Sequence, residues 1–226
     1  MKNNIQMDLK NNILNKMKED DFDNYSKILL FIEITKIDEI IKDRYSVRFL
    51  LDLFFGFDKR MLNIESIMHE IRFVEGLEKA SRTKPASQFR RPPLKGLWHK
   101  HYFDGSIPSL AQNLKNALGS YGMPYVDSMI AKAKASGKES FITPEDVPKI
   151  VDDAVSSNLQ RRRAYQKITG EWLVYVIHEN TNYFLCLAKH DESDADIRKK
   201  IDSICIYEFS FLKSILLPSI QNTERK

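Results

Sequence analysis

Two histidines in the middle of the chain are spaced so that both could act on one substrate. His99 and His101 lie in the segment RRPPLKGLWHKHYF, residues 90–103. In an extended strand, residues two apart project from the same face, with Cα atoms roughly 6.5 to 7 Å apart. A neutral imidazole could then take the 2′-hydroxyl proton of RNA while an imidazolium protonates the leaving oxygen. We therefore expect His99 and His101 to be the catalytic residues of an RNA-cleaving site.

The same segment carries groups that suit a nucleic acid. Cations neutralise phosphates, and aromatic faces stack on unpaired bases. The pattern predicts phosphate binding by Arg90, Arg91 and Lys95, and base stacking by Trp98 and Tyr102. In the alternative interpretation the aromatic residues belong to the core and the cations are solvated, because buried aromatic side chains dominate protein cores.

A second cationic group consists of three adjacent arginines, Arg161, Arg162 and Arg163, with Tyr165 and Lys167 close behind. Consecutive helical residues point in different directions, so the group forms a diffuse positive patch rather than a bidentate site. We expect it to bind phosphate, with an acidic protein surface as the alternative partner. A solvated helix end, stabilised by the helix dipole, is the purely structural interpretation.

Two later histidines belong to a predicted hairpin. A three-residue loop would pair Glu179 with Tyr183 and place His178 and His190 on one sheet face, about 20 Å apart. At most one of them can then approach His99 and His101. His190 is the better candidate, since three acidic residues follow it within four positions and a carboxylate could orient its ring.

Neither a metal nor a cofactor is predicted. A His-x-His pair supplies two ligands, whereas a catalytic zinc normally takes three, so a metal-dependent hydrolase is only a third alternative. The chain contains no GxxxxGK[ST], GxGxxG, HExxH, CxxC or GxSxG motif. The common nucleotide-binding, zinc-protease, redox and hydrolase signatures are therefore absent.

Charge and hydropathy narrow the class of protein. The net charge of +4 is concentrated in residues 81–175, which hold 15 Lys and Arg against 8 Asp and Glu. Such a basic segment favours a polyanionic partner. The N-terminus lacks the apolar region of a secretory signal, and no apolar run approaches the roughly 18 residues of a membrane span. These features predict a cytoplasmic protein that does not enter a membrane, with Cys186 and Cys205 as buried thiols.

The elements that position these residues are mostly helices. Apolar residues recur at three- and four-residue spacing over residues 1–80, where proline is absent, and this pattern predicts helices. One of them lies in the apolar segment Val47–Phe57, where we expect Gly56 to end the helix, and the next covers Met61–Lys79. Residues 81–97 contain three prolines and interrupt the helices. A capping pattern at Thr143 begins a further helix that runs to Ser156.

From Gly170 onward, β-branched and aromatic residues predict strands. The strands are Glu171–Glu179 and Tyr183–Lys189, with residues 94–103 as a third and a final helix over Ile197–Leu217. We predict an α+β fold, mostly helical, in which a helical N-terminal part packs against a small antiparallel sheet containing a C-terminal β-hairpin followed by a final helix. We predict a helical region over residues 1–80 and an α+β region over residues 81–226. The second region includes a basic loop that carries Arg90, Arg91 and Lys95. One continuous domain is the alternative.

The leading functional hypothesis is a bacterial-type cytosolic protein that engages RNA or another nucleic acid. In its catalytic version the protein is a toxin-like, metal-independent endoribonuclease that uses histidine acid–base catalysis. The alternative is a non-catalytic protein-interaction module, in which the helical N-terminal part binds a partner and the basic loop docks on an acidic protein. The dependence of binding on salt concentration separates the two.

Overall fold

The computed structural model describes residues 2–137 and 141–216, with side chains from Leu9 onward. Over these residues the chain is 58% helical and forms one four-stranded antiparallel sheet with a C-terminal hairpin and a helix after it, which confirms the predicted α+β class. Within these residues no helix is both long and apolar enough to cross a membrane. Cys186 and Cys205 are both buried and both free.

The N-terminal part forms five helices. They are α1 (Lys2–Asp20), α2 (Phe22–Thr35), α3 (Ile37–Ile41), α4 (Val47–Asp58) and α5 (Ile64–Val74). The prediction that Gly56 ends its helix is wrong, because α4 continues past it to Asp58. A Cβ at Gly56 would lie 2.1 Å from Cδ1 of Leu62, so this glycine allows close packing rather than a helix end.

Four strands follow, in the spatial order β1-β2-β3-β4. They are β1 (Ser87–Gln88), β2 (Trp98–Tyr102), β3 (Glu171–His178) and β4 (Thr181–Ala188). The predicted third strand is present as β2, which pairs with β3. The predicted three-residue loop is wrong, since Glu179 and Asn180 alone connect β3 to β4. Both have positive φ, 49° and 58°, as a two-residue hairpin turn requires.

The sheet separates two hydrophobic cores. One face packs on the N-terminal helices through residues such as Leu173, Tyr175 and Phe184. The other face packs on the C-terminal helical segment through Val174 and Val176. Successive residues of a strand point to opposite faces, which explains why neighbours in β3 belong to different cores.

The predicted last helix is interrupted. It consists of α10 (Asp194–Lys200), a π-helical turn at Ile201–Cys205, α11 (Ile206–Glu208) and, after a break at Phe209, α12 (Leu212–Ile215). Its predicted end at Leu217 lies outside the described residues. Glu208 accepts hydrogen bonds from the backbone N–H of Val47, at the start of α4. This contact joins the C-terminal segment to the N-terminal helices.

The chain divides into two compact units. Unit 1 comprises the described parts of Met1–Ser81, Pro85–Asp104 and Gly170–Lys226, and unit 2 comprises Arg82–Lys84 and Gly105–Thr169. The N-terminal helices belong to the same unit as the hairpin because they cover one face of its sheet.

Unit 2 is helical. Its helices are α6 (Ile107–Tyr121), α7 (Pro124–Ser136), α8 (Val147–Asp152) and α9 (Asn158–Ala164), with a π-helical turn at Asp153–Ser157. The helix predicted to begin at Thr143 begins four residues later. The carboxylate of Asp146 accepts hydrogen bonds from the backbone N–H and the hydroxyl of Thr143, which forms a turn ahead of the helix.

Candidate functional site

Strand β2 places its two histidines on one face, as the spacing predicted. Its other face is occupied by Trp98, Lys100 and Tyr102. Trp98 and Tyr102 contact the core beneath the N-terminal helices, and Lys100 pairs with Glu70 of α5. His99 and His101 therefore project on the opposite side of the sheet, and their ring centroids lie 5.6 Å apart.

A third histidine and an indole complete a cluster on this face. The histidine cluster comprises His99, His101, His190 and Trp172. The ring of His190 lies 5.8 Å from that of His101, with 29° between the ring planes. The indole of Trp172 lies 4.9 Å from His99, 6.3 Å from His101 and 5.1 Å from His190. Three imidazoles thus surround one indole at an end of the sheet.

His190 reaches the cluster by a different register from the one predicted. Trp172 pairs with Ala188 rather than with His190, and His178 pairs with Thr181 rather than with Phe184. His190 thus lies two residues beyond the end of β4, and its backbone N–H donates to the carboxylate of Glu171. His178 is outside the cluster, because its ring stacks on Phe211 at 3.9 Å.

The three imidazoles differ in exposure and in their hydrogen bonds. His101 is 5% exposed, and its Nδ1–H donates to the carbonyl of Gly170 at 3.0 Å. Because a carbonyl only accepts, this bond assigns the proton of the neutral ring to Nδ1. Nε2 of His99 lies 3.1 Å from the hydroxyl oxygen of Ser87. His99 is partly exposed and His190 is exposed.

A carboxylate borders the cluster. Burial raises the pKa of the Glu171 carboxyl above its ordinary value, against the opposing effect of the hydrogen bond from His190. Asp104 and Asp191 lie close enough to raise it further.

The basic loop approaches the cluster through Phe89. The Phe89 ring lies 4.7 Å from His99 and 5.7 Å from Trp172. Arg90 and Arg91 follow directly, and both are exposed, as is Lys95. The three cations predicted to hold phosphate are therefore solvent-accessible, and one of them, Arg90, directly follows a residue that contacts the site.

The two predicted base-stacking residues do not face the histidines. Tyr102 is 3% exposed, so it has no open face on which a base could stack. Trp98 is only partly buried but projects to the opposite side of the sheet, next to Tyr175. Phe89 is instead the aromatic ring of the basic loop that contacts the cluster.

Two of the three adjacent arginines have structural contacts inside unit 2. Arg162 is buried and donates to Oδ1 of Asn113 and to the carbonyl of Lys167. Arg161 forms an ion pair with Asp153 at 3.1 Å. Arg163 is exposed and remains available to a phosphate. Phosphate binding by the three arginines stays a prediction, and Arg163 is the one whose side chain is exposed.

Sequence reasoning missed Ser87, Phe89, Glu171 and Trp172. Trp172 belongs to a strand that the sequence predicts, but its contact with the histidines depends on the pairing of β2 with β3. Ser87 belongs to a two-residue strand that leaves no detectable pattern. A correct β2–β3 register would have placed Trp172 opposite His101.

Among the residues whose placement is described, no group of three or more His, Cys, Asp or Glu side chains is arranged to hold a metal ion. No protein-family model, curated protein or solved structure matches the chain.

Proposed function

We propose that the protein binds RNA and cleaves it by metal-independent histidine acid–base catalysis at the histidine cluster. The observation that carries the proposal is the convergence of His99, His101 and His190 within successive ring distances of 5.6 and 5.8 Å. Exposed cations of the basic loop next to Phe89 supply the charge that a phosphodiester needs.

The proposed base is His99. Its Nε2 already lies 3.1 Å from a hydroxyl oxygen, that of Ser87, which is the distance a general base needs from the hydroxyl it deprotonates. Ser87 is exposed and can give way to the ribose 2′-hydroxyl. When His99 takes that proton, the 2′-oxygen attacks phosphorus and the bond to the 5′-oxygen breaks.

The proposed acid is His101. The carbonyl of Gly170 holds its Nδ1–H, so the proton for the leaving 5′-oxygen comes from Nε2 of the imidazolium. His190 stacks on this ring and is exposed, and we assign it to the phosphate oxygens together with Arg90 and Arg91. Positive charge there stabilises the charge that builds on the phosphate in the transition state.

Cleavage of a labelled oligoribonucleotide by single-histidine variants tests this assignment. His99→Ala and His101→Ala should each lower the cleavage rate by about 100- to 10,000-fold, the usual contribution of a general acid or base. His178→Ala is the matched control, because it removes an imidazole from the same sheet but outside the cluster. Its rate should equal that of the wild type.

The fold of each variant must be checked, since His101 is nearly buried. His101→Gln keeps a polar side chain of similar size and should lose activity while its circular dichroism spectrum and unfolding midpoint stay close to those of the wild type. Full activity in both His99→Ala and His101→Ala would exclude the proposed mechanism.

A second candidate function is a non-catalytic module that docks on a protein. It is favoured by exposed apolar side chains on α2, where Leu30 is 54% and Ile34 is 65% exposed. RNA binding should weaken by about one decade in affinity per decade of salt for each phosphate neutralised. An affinity for a partner that salt leaves unchanged would favour this second function.

A further inference from the structure

Unit 2 carries a pair of stacked tyrosines, one partly buried and one exposed, that the proposed catalytic site does not use. Tyr165 is 65% exposed, and its ring lies 6.1 Å from that of Tyr121, with 27° between the ring planes. Nζ of Lys167 lies 5.7 Å from the centroid of Tyr165 and 5.9 Å from that of Tyr121. We call Tyr121, Tyr165 and Lys167 the tyrosine platform.

Backbone hydrogen bonds hold the platform at the end of α9. The N–H of Tyr165 donates to the carbonyl of Arg161 at 3.0 Å, and the N–H of Lys167 donates to that of Arg162 at 2.8 Å. Gln166 between them is left-handed, with φ of 51°, so the chain turns sharply there. The buried guanidinium of Arg162 binds the carbonyl of Lys167 and closes the turn.

The charge around the platform suits an anion. By sequence, unit 2 holds eleven Lys and Arg against six Asp and Glu, a net charge of +5, whereas the whole chain has +4. Arg163 is exposed two residues before Tyr165. An exposed aromatic face is thus flanked by cations on a basic unit, which is the composition of surfaces that bind single-stranded nucleic acid.

We propose that the tyrosine platform binds unpaired bases of single-stranded RNA. A base stacks on the outer face of Tyr165, which Tyr121 supports from behind, and the neighbouring phosphates contact Lys167 and Arg163. The inference rests on the proposed function and adds that the substrate is bound as a single strand. Bases in a duplex are already paired and stacked, so they cannot cover the ring in this way.

Fluorescence anisotropy with a labelled, fully 2′-O-methylated oligoribonucleotide tests the platform without cleavage, because the nucleophilic hydroxyl is blocked. Tyr165→Ala should raise the dissociation constant by about 5- to 150-fold, the range expected for the loss of one stacked base. Tyr165→Phe should bind the single strand with the wild-type affinity, since phenylalanine keeps the aromatic ring. A duplex of the same sequence should bind the wild-type protein and the Tyr165→Ala variant with equal affinity.

Tyr207→Ala is a matched control for this experiment. Tyr207 is 58% exposed, and Nζ of Lys213 lies 5.7 Å from its ring, but the residue belongs to unit 1. Its loss should leave the affinity unchanged. Equal affinities for Tyr165→Ala and Tyr207→Ala, or an equal loss on single strand and duplex, would overturn the platform.

The two proposals fail in different ways. Should Tyr165→Ala weaken binding while His99→Ala and His101→Ala cleave RNA at the wild-type rate, the platform stands and the catalytic proposal falls. A wild-type protein that does not bind the single strand overturns the platform and removes the basis of the RNA hypothesis. Loss of cleavage in the histidine variants with no effect of Tyr165→Ala overturns the platform alone.

Discussion

Lys100 holds the two histidines in position from the other side of the sheet. It is fully buried, and its Nζ lies 3.0 Å from Oε2 of Glu70 and 2.8 Å from the hydroxyl oxygen of Ser81. Because strand residues alternate between faces, this buried ion pair fixes β2 against α5 and so orients His99 and His101. Removing one partner would leave a charge without its counterion in the core.

We expect Lys100→Met to lower the free energy of unfolding by about 3 to 5 kcal/mol, because Glu70 then stays buried and unpaired. The double variant Lys100→Met with Glu70→Met should recover most of this loss, since no charge remains in the core. Urea denaturation at neutral pH measures both effects. A double variant less stable than Lys100→Met would contradict the account of this pair.

We expect Glu208 to make the free energy of unfolding depend on pH. Burial raises its pKa to about 7, against the opposing effects of the Val47 N–H and the charge of Lys10. The folded protein therefore binds this proton more tightly than the unfolded chain, in which the ordinary value is 4.5. The stabilising contribution of the protonated carboxyl is complete below pH 4.5 and is lost as the pH rises through 7.

Glu208→Gln should remove this dependence. The amide stays neutral and can still accept the Val47 N–H, so at about pH 8 the variant should be more stable than the wild type, by up to roughly 3 kcal/mol. Below pH 4.5 the two proteins should unfold alike. Urea denaturation across this pH range gives the comparison, and parallel stability curves for the two proteins would refute it.

The sheet face on which a side chain lies could be predicted from the sequence, because backbone geometry alone determines it. The shared face of His99 and His101 follows from their spacing in a strand, and the structure shows it. The contacts of His101 with Gly170 and of His99 with Ser87 depend on strand pairing, which the sequence of either segment does not encode. The burial of Tyr102 is likewise decided by the helices that cover the sheet.

At the scale of elements, the fold class was predictable but the hairpin register was not. The prediction used the triplet 180–182 as the loop, whereas the turn consists of Glu179 and Asn180. A bulge then shifts the register between Val174 and Tyr175, so that the pairing of the strand ends cannot be counted from the loop. The helix ends depended similarly on tertiary contacts, as at Gly56.

Gly170 is the element-scale residue on which the cluster depends most. A Cβ at this position would lie 1.9 Å from the carbonyl oxygen of Tyr102, at the point where β2 meets β3. We expect Gly170→Ala to push the strands apart and to displace the carbonyl that holds His101. The variant should unfold at lower urea concentration and cleave RNA more slowly than the wild type.

Gly119→Ala provides the control. Gly119 lies in α6, and apart from the neighbouring backbone of that helix no atom lies within 4 Å of the Cβ that alanine would add. Replacing a helical glycine by alanine should stabilise by about 1 kcal/mol, so its effect on urea denaturation has the opposite sign. Unchanged stability and cleavage in Gly170→Ala would show that β2 and β3 can tolerate the extra atom.

At the scale of the whole molecule, the basic middle segment separates into cations of different kinds. Sequence counting treats Lys100, Arg161 and Arg162 like any other positive charge, but each has a structural partner. The exposed ones include Arg90, Arg91 and Lys95 in unit 1, and Arg163 and Lys167 in unit 2. Net charge predicts a polyanionic partner, but only the fold shows which cations can reach it.

The most direct test of the central claim uses a DNA oligonucleotide that contains a single ribonucleotide. If His99 activates the ribose hydroxyl, the wild-type protein should cut only at that position and leave a 2′,3′-cyclic phosphate and a 5′-hydroxyl. The all-deoxy strand should stay intact, because it lacks the nucleophile. Equal cleavage of the ribonucleotide-containing and the all-deoxy oligonucleotides, or no cleavage of either, would contradict the proposed role of His99.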